Sequence, residues 1–136
     1  MHGVAALRSV LLSAALLLAG CDSADDPKKE LSAISSRGAT AQLVTGEWVR
    51  GAVTAAYASS TLRILARNLD KDSSSLAALR LSARQRDGAL AHLKALSLAV
   101  TEAGDAVSKG SQPAARHALL RIGAETREFD QPARQP

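Results

Sequence analysis

Residues 74–108 read SSLAALRLSARQRDGALAHLKALSLAVTEAGDAVS, and this stretch decides the fold class. Its apolar positions are Leu76, Leu79, Ala83, Leu90, Leu93, Leu96, Val100, Ala103 and Val107. Steps of three and four return side chains to one side of a helix, so the pattern predicts a long amphipathic helix. Arg86, Asp87 and Gly88 interrupt the stripe and predict a local irregularity. Lys109-Gly110 is a good stop: a cation suits the C-terminal dipole, and glycine adopts the left-handed closing conformation.

Working back from this stretch, Asn68 to Ser75 reads as a turn. Asp70, Asp72 and Ser73 compete for backbone hydrogen bonds there, and Asp72 or Ser73 can cap the helix that follows. Before it, residues 29–69 carry a second stripe: Leu31, Ile34, Gly38, Ala41, Thr45, Trp48, Ala52, Ala55, Ser59, Leu62, Ala66 and Leu69. Its small residues let a partner helix approach closely. Gly38, Gly46 and Gly51 each weaken a helix by ~1 kcal/mol relative to Ala, so a break near Gly46 would divide this segment in two. Beyond Gly110, Ser111 caps a shorter helix with Pro113 in its first turn and an apolar face of Ala115, Leu119, Ile122 and Phe129. On that helix Arg121 and Glu125 sit four apart.

The expected fold is all-α: an antiparallel hairpin of two long helices with a third, shorter helix packed on it. That is a three-helix bundle, or a four-helix one if the first segment breaks near Gly46. A bend near residue 72 places Leu62 opposite about Leu81, and Trp48 near Leu96. No clear internal repeat is visible.

Composition agrees. Ala, Leu and Arg are strong helix formers. Trp48, Tyr57 and Phe129 are the whole aromatic set, which disfavours strands. The single cysteine, Cys21, cannot form an internal disulfide. Net charge is +4 for the chain and +3 without Arg8, too mild a basic excess to suggest nucleic acid.

Residues 1–20 have the three parts of an export signal. Met1 to Arg8 is a short positive region, and Val10 to Leu18 is apolar, broken only by Ser13. Leu18-Ala19-Gly20-Cys21 follows, and it resembles the lipobox of bacterial lipoproteins. The resemblance covers the first 21 residues and implies cleavage between Gly20 and Cys21. It also implies a diacylglyceryl group on the Cys21 thiol and an acyl group on its amino nitrogen. The apolar run is short for a membrane span, which needs ~20 residues. Two or three acyl chains give stable anchoring, where one gives marginal binding. Asp22 resembles the signal that retains such proteins at the inner membrane. The expected location is therefore the periplasmic face of the inner membrane, with the outer membrane as the alternative. Residues 21–29 read as lipidated cysteine and flexible tether, 30–129 as the helical domain, and 130–136 as a disordered tail.

The sequence offers little for catalysis. Cys21 is consumed by lipid, and His92 and His117 lack acidic residues three or four positions away. A zinc site needs three or four clustered ligands, so neither metal nor other cofactor is expected beyond the covalent lipid. Glu102 and Asp105 share a helix face, but Asp105 is better placed to pair with Lys109. Gly-x-Ser-x-Gly and phosphate-loop patterns are absent, and no enzyme is expected. Trp48 reads as filler for the small-residue seam. The candidate partner-binding residues are Arg63, Arg67, Lys71, Arg80 and Arg84, which the hairpin would crowd at the end away from the tether. The expected function is contact with another protein in the cell envelope, as scaffold, adaptor or inhibitor. The alternative is a ligand-binding or sensing domain with an apolar cavity around Gly51, Ala52 and Ala55. Self-association through the stripes is a further option.

Overall fold

The computed structural model describes residues 26–130. They form four helices and, among the described residues, no strand: α1 (Pro27–Val49), α2 (Ala55–Ala77), α3 (Ala83–Ser108) and α4 (Gln112–Asp130). Sequence neighbours pack against one another, α4 closes back onto α1, and α1 approaches α3 across the diagonal, whereas α2 and α4 stay apart. The helices thus alternate up and down around a ring, as short connections dictate.

Two antiparallel pairs make up this ring, the outer one of α1 and α4 and the inner hairpin of α2 and α3. Between α1 and α4, the Ser35 hydroxyl donates to Asp130, Gly38 lies against Thr126, and Gln42 lies over Gly123. Between α2 and α3, the Ser97 hydroxyl donates to Asp70 at 2.6 Å, and Gly104 meets Leu62. Leu62 therefore faces Gly104 and not Leu81.

The hairpin register moved because the chain turns elsewhere than expected. The first break falls at residues 50–54, just beyond Gly46. Gly51 takes φ +77°, and the Ala52 N–H donates to Glu47 O at 2.8 Å while the Gly51 N–H donates to Trp48 O at 2.9 Å. That pair of bonds is a glycine-dependent helix stop. Thr54 then caps α2, its hydroxyl accepting from the Tyr57 N–H at 3.2 Å. Gly110 repeats the device at φ +67°, with the Ser111 N–H donating to Ala106 O at 2.8 Å. Ser111 starts α4 as expected, its hydroxyl accepting from the Ala114 N–H at 3.4 Å.

The expected turn at Asn68 to Ser75 is helical instead. Leu69, Asp72 and Leu76 prolong the buried stripe of α2, so packing overrides the turn-forming preference of the aspartates and serines. The chain reverses at residues 78–82. Ser82 and Gln85 form a reciprocal capping box: the Gln85 N–H donates to Ser82 Oγ, and the Ser82 N–H donates to Gln85 Oε1. Arg86 pins this turn by donating to the carbonyls of Leu79 and Leu81, each at 3.1 Å. The expected irregularity at Arg86–Gly88 is absent, and α3 passes straight through it. Helix α1 also starts earlier than the expected tether boundary. Asp26 accepts from the Lys28 N–H at 3.0 Å, and Pro27 opens the helix, where its missing N–H costs nothing. At the other end, Asp130 is still helical.

The core runs the length of the ring. Ile34, Leu62, Leu69, Leu76, Leu93, Leu96, Val100 and Ile122 are fully buried, and Trp48 packs on its edge, half-buried. Burying a side chain of this size contributes ~1.5–3 kcal/mol relative to leaving it exposed. No helix among the described residues is long and apolar enough to cross a membrane.

Candidate functional site

Cys21 and Gly20 lie outside the described residues. Arg63, Arg67, Lys71, Arg80 and Arg84 are all exposed, and none makes an ion pair among the described residues. They do not gather at one end. Arg63 and Arg67 lie along α2 in a groove against α3 that also holds Asp70 and Asp105. Roughly 15 Å of helix separates Arg67 from the end of α2. Arg80 stands in the following turn and Arg84 in the first turn of α3. Their end of the bundle is also the end where α1 begins, contrary to expectation. The added reversal at residues 50–54 brings the chain back to its starting end before residue 80.

Gly51, Ala52 and Ala55 are exposed on the α1–α2 connection and the first residue of α2, where they cannot wall a cavity. Asp105 forms no ion pair with Lys109, and Arg121 does not pair with Glu125. Arg121 instead pairs across helices with Glu102, and the His92 ring shares a hydrogen bond with Glu125, Nδ1 to Oε2 at 2.7 Å. His92 Nε2 also stands 3.8 Å from Glu128. No group of three side chains suited to a metal ion occurs among the described residues. Beside His92 lies a cleft of about 260 Å³, with Leu31, Leu81, Ala89 and Phe129 on its apolar wall.

Near the same end, Arg37 pairs with Asp72, which is almost wholly buried. Burial raises the Asp72 carboxyl above its usual range, and Arg37 offsets only part of that. Glu30 is raised as well, first by burial and then by the neighbouring Asp72 charge.

The most distinctive surface lies between α1 and α4. Leu43 is 60 % exposed and Leu120 is 75 % exposed, and both line one trough with Ala39, Gln42, Gly46, Arg50, Leu119, Gly123 and Arg127. The two helices contribute the same pattern: Leu43-x-x-Gly46-x-x-x-Arg50 and Leu120-x-x-Gly123-x-x-x-Arg127. Because the helices are antiparallel, with Gln42 over Gly123, the two copies run in opposite directions. The leucines therefore share the middle of the trough, the glycines flank them, and Arg127 and Arg50 mark its ends, roughly 18 Å apart at helical rise. Arg50, which caps the end of α1, pairs with Glu47 three residues back, whereas Arg127 has no ion pair among the described residues. No carboxylate lines the trough.

No family model matches this chain. Neither the curated proteins nor the solved structures include a significant match.

Of the trough residues, only Leu119 belongs to the expected apolar stripe of α4, and it is half-buried in the trough wall while Ala118 takes the core position. Leu43 and Leu120 are out of phase: α1 buries positions 34, 38, 41, 44 and 45, and α4 buries 115, 118, 122, 126 and 129. A leucine off the buried stripe was the available signal, and the repeated eight-residue pattern was another.

Proposed function

We propose that this chain is a lipid-anchored bacterial envelope protein whose helical bundle works without catalysis, by contacting another protein. The observation that carries the reading is the pair of outward leucines, Leu43 and Leu120, at the centre of one trough. Isolated surface leucines are common, but a contiguous apolar centre rimmed by charge is the anatomy of a contact surface. Acylated Cys21 would hold the bundle by the end where α1 begins, on the periplasmic face of the inner membrane. The trough runs along the side of the bundle, so a neighbouring protein can reach it without displacing the anchor.

A second reading makes the cleft at Leu31, Leu81, Ala89 and Phe129 a ligand pocket. Its polar rim of Gln85, His92 and Glu128 would orient a small amphiphile. At about 260 Å³ the cleft falls below the roughly 300–1,000 Å³ of most ligand sites, so contact is the favoured reading.

Photo-crosslinking in intact cells separates the two. A photoreactive residue at Leu43 or Leu120 is expected to yield a discrete crosslinked species in the membrane fraction, and one at exposed Ser74 is expected not to. Equal yields at all three positions would remove the basis for a contact role.

A further inference from the structure

We propose that the α1–α4 trough receives an acidic amphipathic helix of a partner protein, about three turns long, with apolar residues at its middle and a carboxylate near each end. The inference rests on the contact reading above and specifies the partner's chemistry. Its geometry comes from the two antiparallel copies of the Leu-x-x-Gly-x-x-x-Arg pattern. Leu43 and Leu120 form an apolar centre, and Arg50 and Arg127 stand roughly 18 Å apart at the ends, a separation spanned by about twelve helical residues. A helix laid along the trough buries its apolar face on the leucines, as amphipathic ligands do in hydrophobic grooves.

The charges select the sign of the partner. The lining holds two arginines and no carboxylate. Arg127 is left for an incoming acid at one end; at the other, Glu47 already neutralises Arg50, and the free cation beside it, among the described residues, is Arg116 of α4. Arg116, exposed four residues before Leu120 and also without an ion pair among the described residues, extends the basic rim of α4. A second copy of this chain fits poorly. Stacking two such troughs brings arginine toward arginine, the one acid at the rim, Glu47, is already held by Arg50, and like charges in an interface are repulsive.

Gly46 adds an independent observation. It lies inside α1, where glycine weakens the helix, and nothing stands within 4 Å of where its Cβ would be. No neighbour within the described bundle requires glycine there. A backbone approaching the floor of the trough would. Gly88 is equally open but lies on α3, which contributes nothing to the trough, and so serves as the control.

The test uses the mature full-length protein in detergent and two labelled helical peptides of about three turns. Both carry leucines on one face. One has glutamate at each end of that face, and the other has lysine. Fluorescence anisotropy is expected to show the acidic peptide binding at least about tenfold tighter, with the preference shrinking as salt is raised. Arg127→Glu is expected to weaken the acidic peptide by about tenfold and to favour the lysine peptide. Gly46→Ala is expected to raise Tm yet weaken binding, whereas Gly88→Ala raises Tm and leaves binding unchanged. Equal binding of the two peptides overturns the proposal, as does binding that ignores Arg127→Glu. Sedimentation showing a dimer that Leu120→Glu abolishes would replace the acidic helix with a second copy. Crosslinks from other faces of the bundle but none from Leu43 or Leu120 would sink this inference and leave the contact role standing. The absence of crosslinks from every face would remove both.

Discussion

Gly38→Ala is expected to destabilise the bundle by about 2–3 kcal/mol, although the same change in an open helix would stabilise it by about 1 kcal/mol. A Cβ at Gly38 would stand 2.2 Å from Thr126 Oγ1, 3.0 Å from its Cγ2 and 3.1 Å from its Cβ. The threonine cannot turn away. Its hydroxyl donates to Ile122 O at 2.6 Å, the side chain is buried, and a rotation would bring another substituent into the gap. The overlap must therefore be relieved by parting α1 from α4. For a domain of this size, a loss on that scale lowers Tm by on the order of 10 °C. Thermal denaturation of Gly38→Ala, Thr126→Ala and the double variant checks this. The double variant is expected to recover most of the loss, because Thr126→Ala removes the two nearest obstructing atoms. Additive losses would mean that the helices do not meet at this point.

Arg37→Ala is expected to cost about 1–3 kcal/mol at neutral pH, more than a surface ion pair and less than a fully buried one. The two sides of the pair are unequal. Asp72 has a side chain only 9 % exposed, while the Arg37 side chain is 32 % exposed. Losing the arginine strands a buried carboxylate, whereas losing the carboxylate returns a guanidinium to water. Asp72→Asn is therefore expected to be nearly neutral, and Arg37→Ala combined with Asp72→Asn milder than Arg37→Ala alone. The pH dependence has a definite sign. Burial holds the Asp72 and Glu30 carboxyls above their usual range, so the folded state takes up their protons before the unfolded state does. As pH falls through the raised range toward the ordinary carboxylate value, these two groups add stability, and the gain is complete below that value. The deficit of Arg37→Ala should shrink over the same interval, because a protonated Asp72 no longer needs a cation. Urea denaturation at neutral pH and near pH ~4.5, close to ordinary carboxylate values, reads out both effects. A deficit that stays constant, or grows on acidification, would show that the carboxylate is not what Arg37 serves.

The helices were legible in the sequence because periodicity is a strong signal. Ile34, Ala41 and Thr45 in α1, and Leu93, Leu96, Val100, Ala103 and Val107 in α3, are buried in the expected phase. The connections were harder, since turn chemistry competes with packing. Asp70, Asp72 and Ser73 carry every local mark of a turn. Yet Asp72 is bound by Arg37 and Asp70 by Ser97, contacts made with distant residues that no local pattern reveals. The real connections had quieter marks: glycine at position 51 with threonine three residues on, and Ser82 with Gln85.

One displaced turn had consequences beyond its own residues. Moving the reversal from about 72 to 78–82, and adding one at 50–54, changed which residues face each other. It also moved Arg80 and Arg84 to the end where α1 begins. The expected grouping of the five basic residues depended on the turn and dissolved with it, leaving Arg63 and Arg67 along α2 and Arg80 and Arg84 at the 78–82 reversal. The trough escaped notice for a different reason. Its centre is Leu43 and Leu120, which the core does not use, so a search for the core reaches only its edge at Leu119.

The most direct measurement of the central claim is metabolic labelling of cells with a palmitate analogue. The wild-type protein is expected to carry label, Cys21→Ser none, and the variant is expected to leave the membrane fraction. An unlabelled wild-type chain, or a Cys21→Ser variant that sediments with membranes as the wild type does, would contradict that claim.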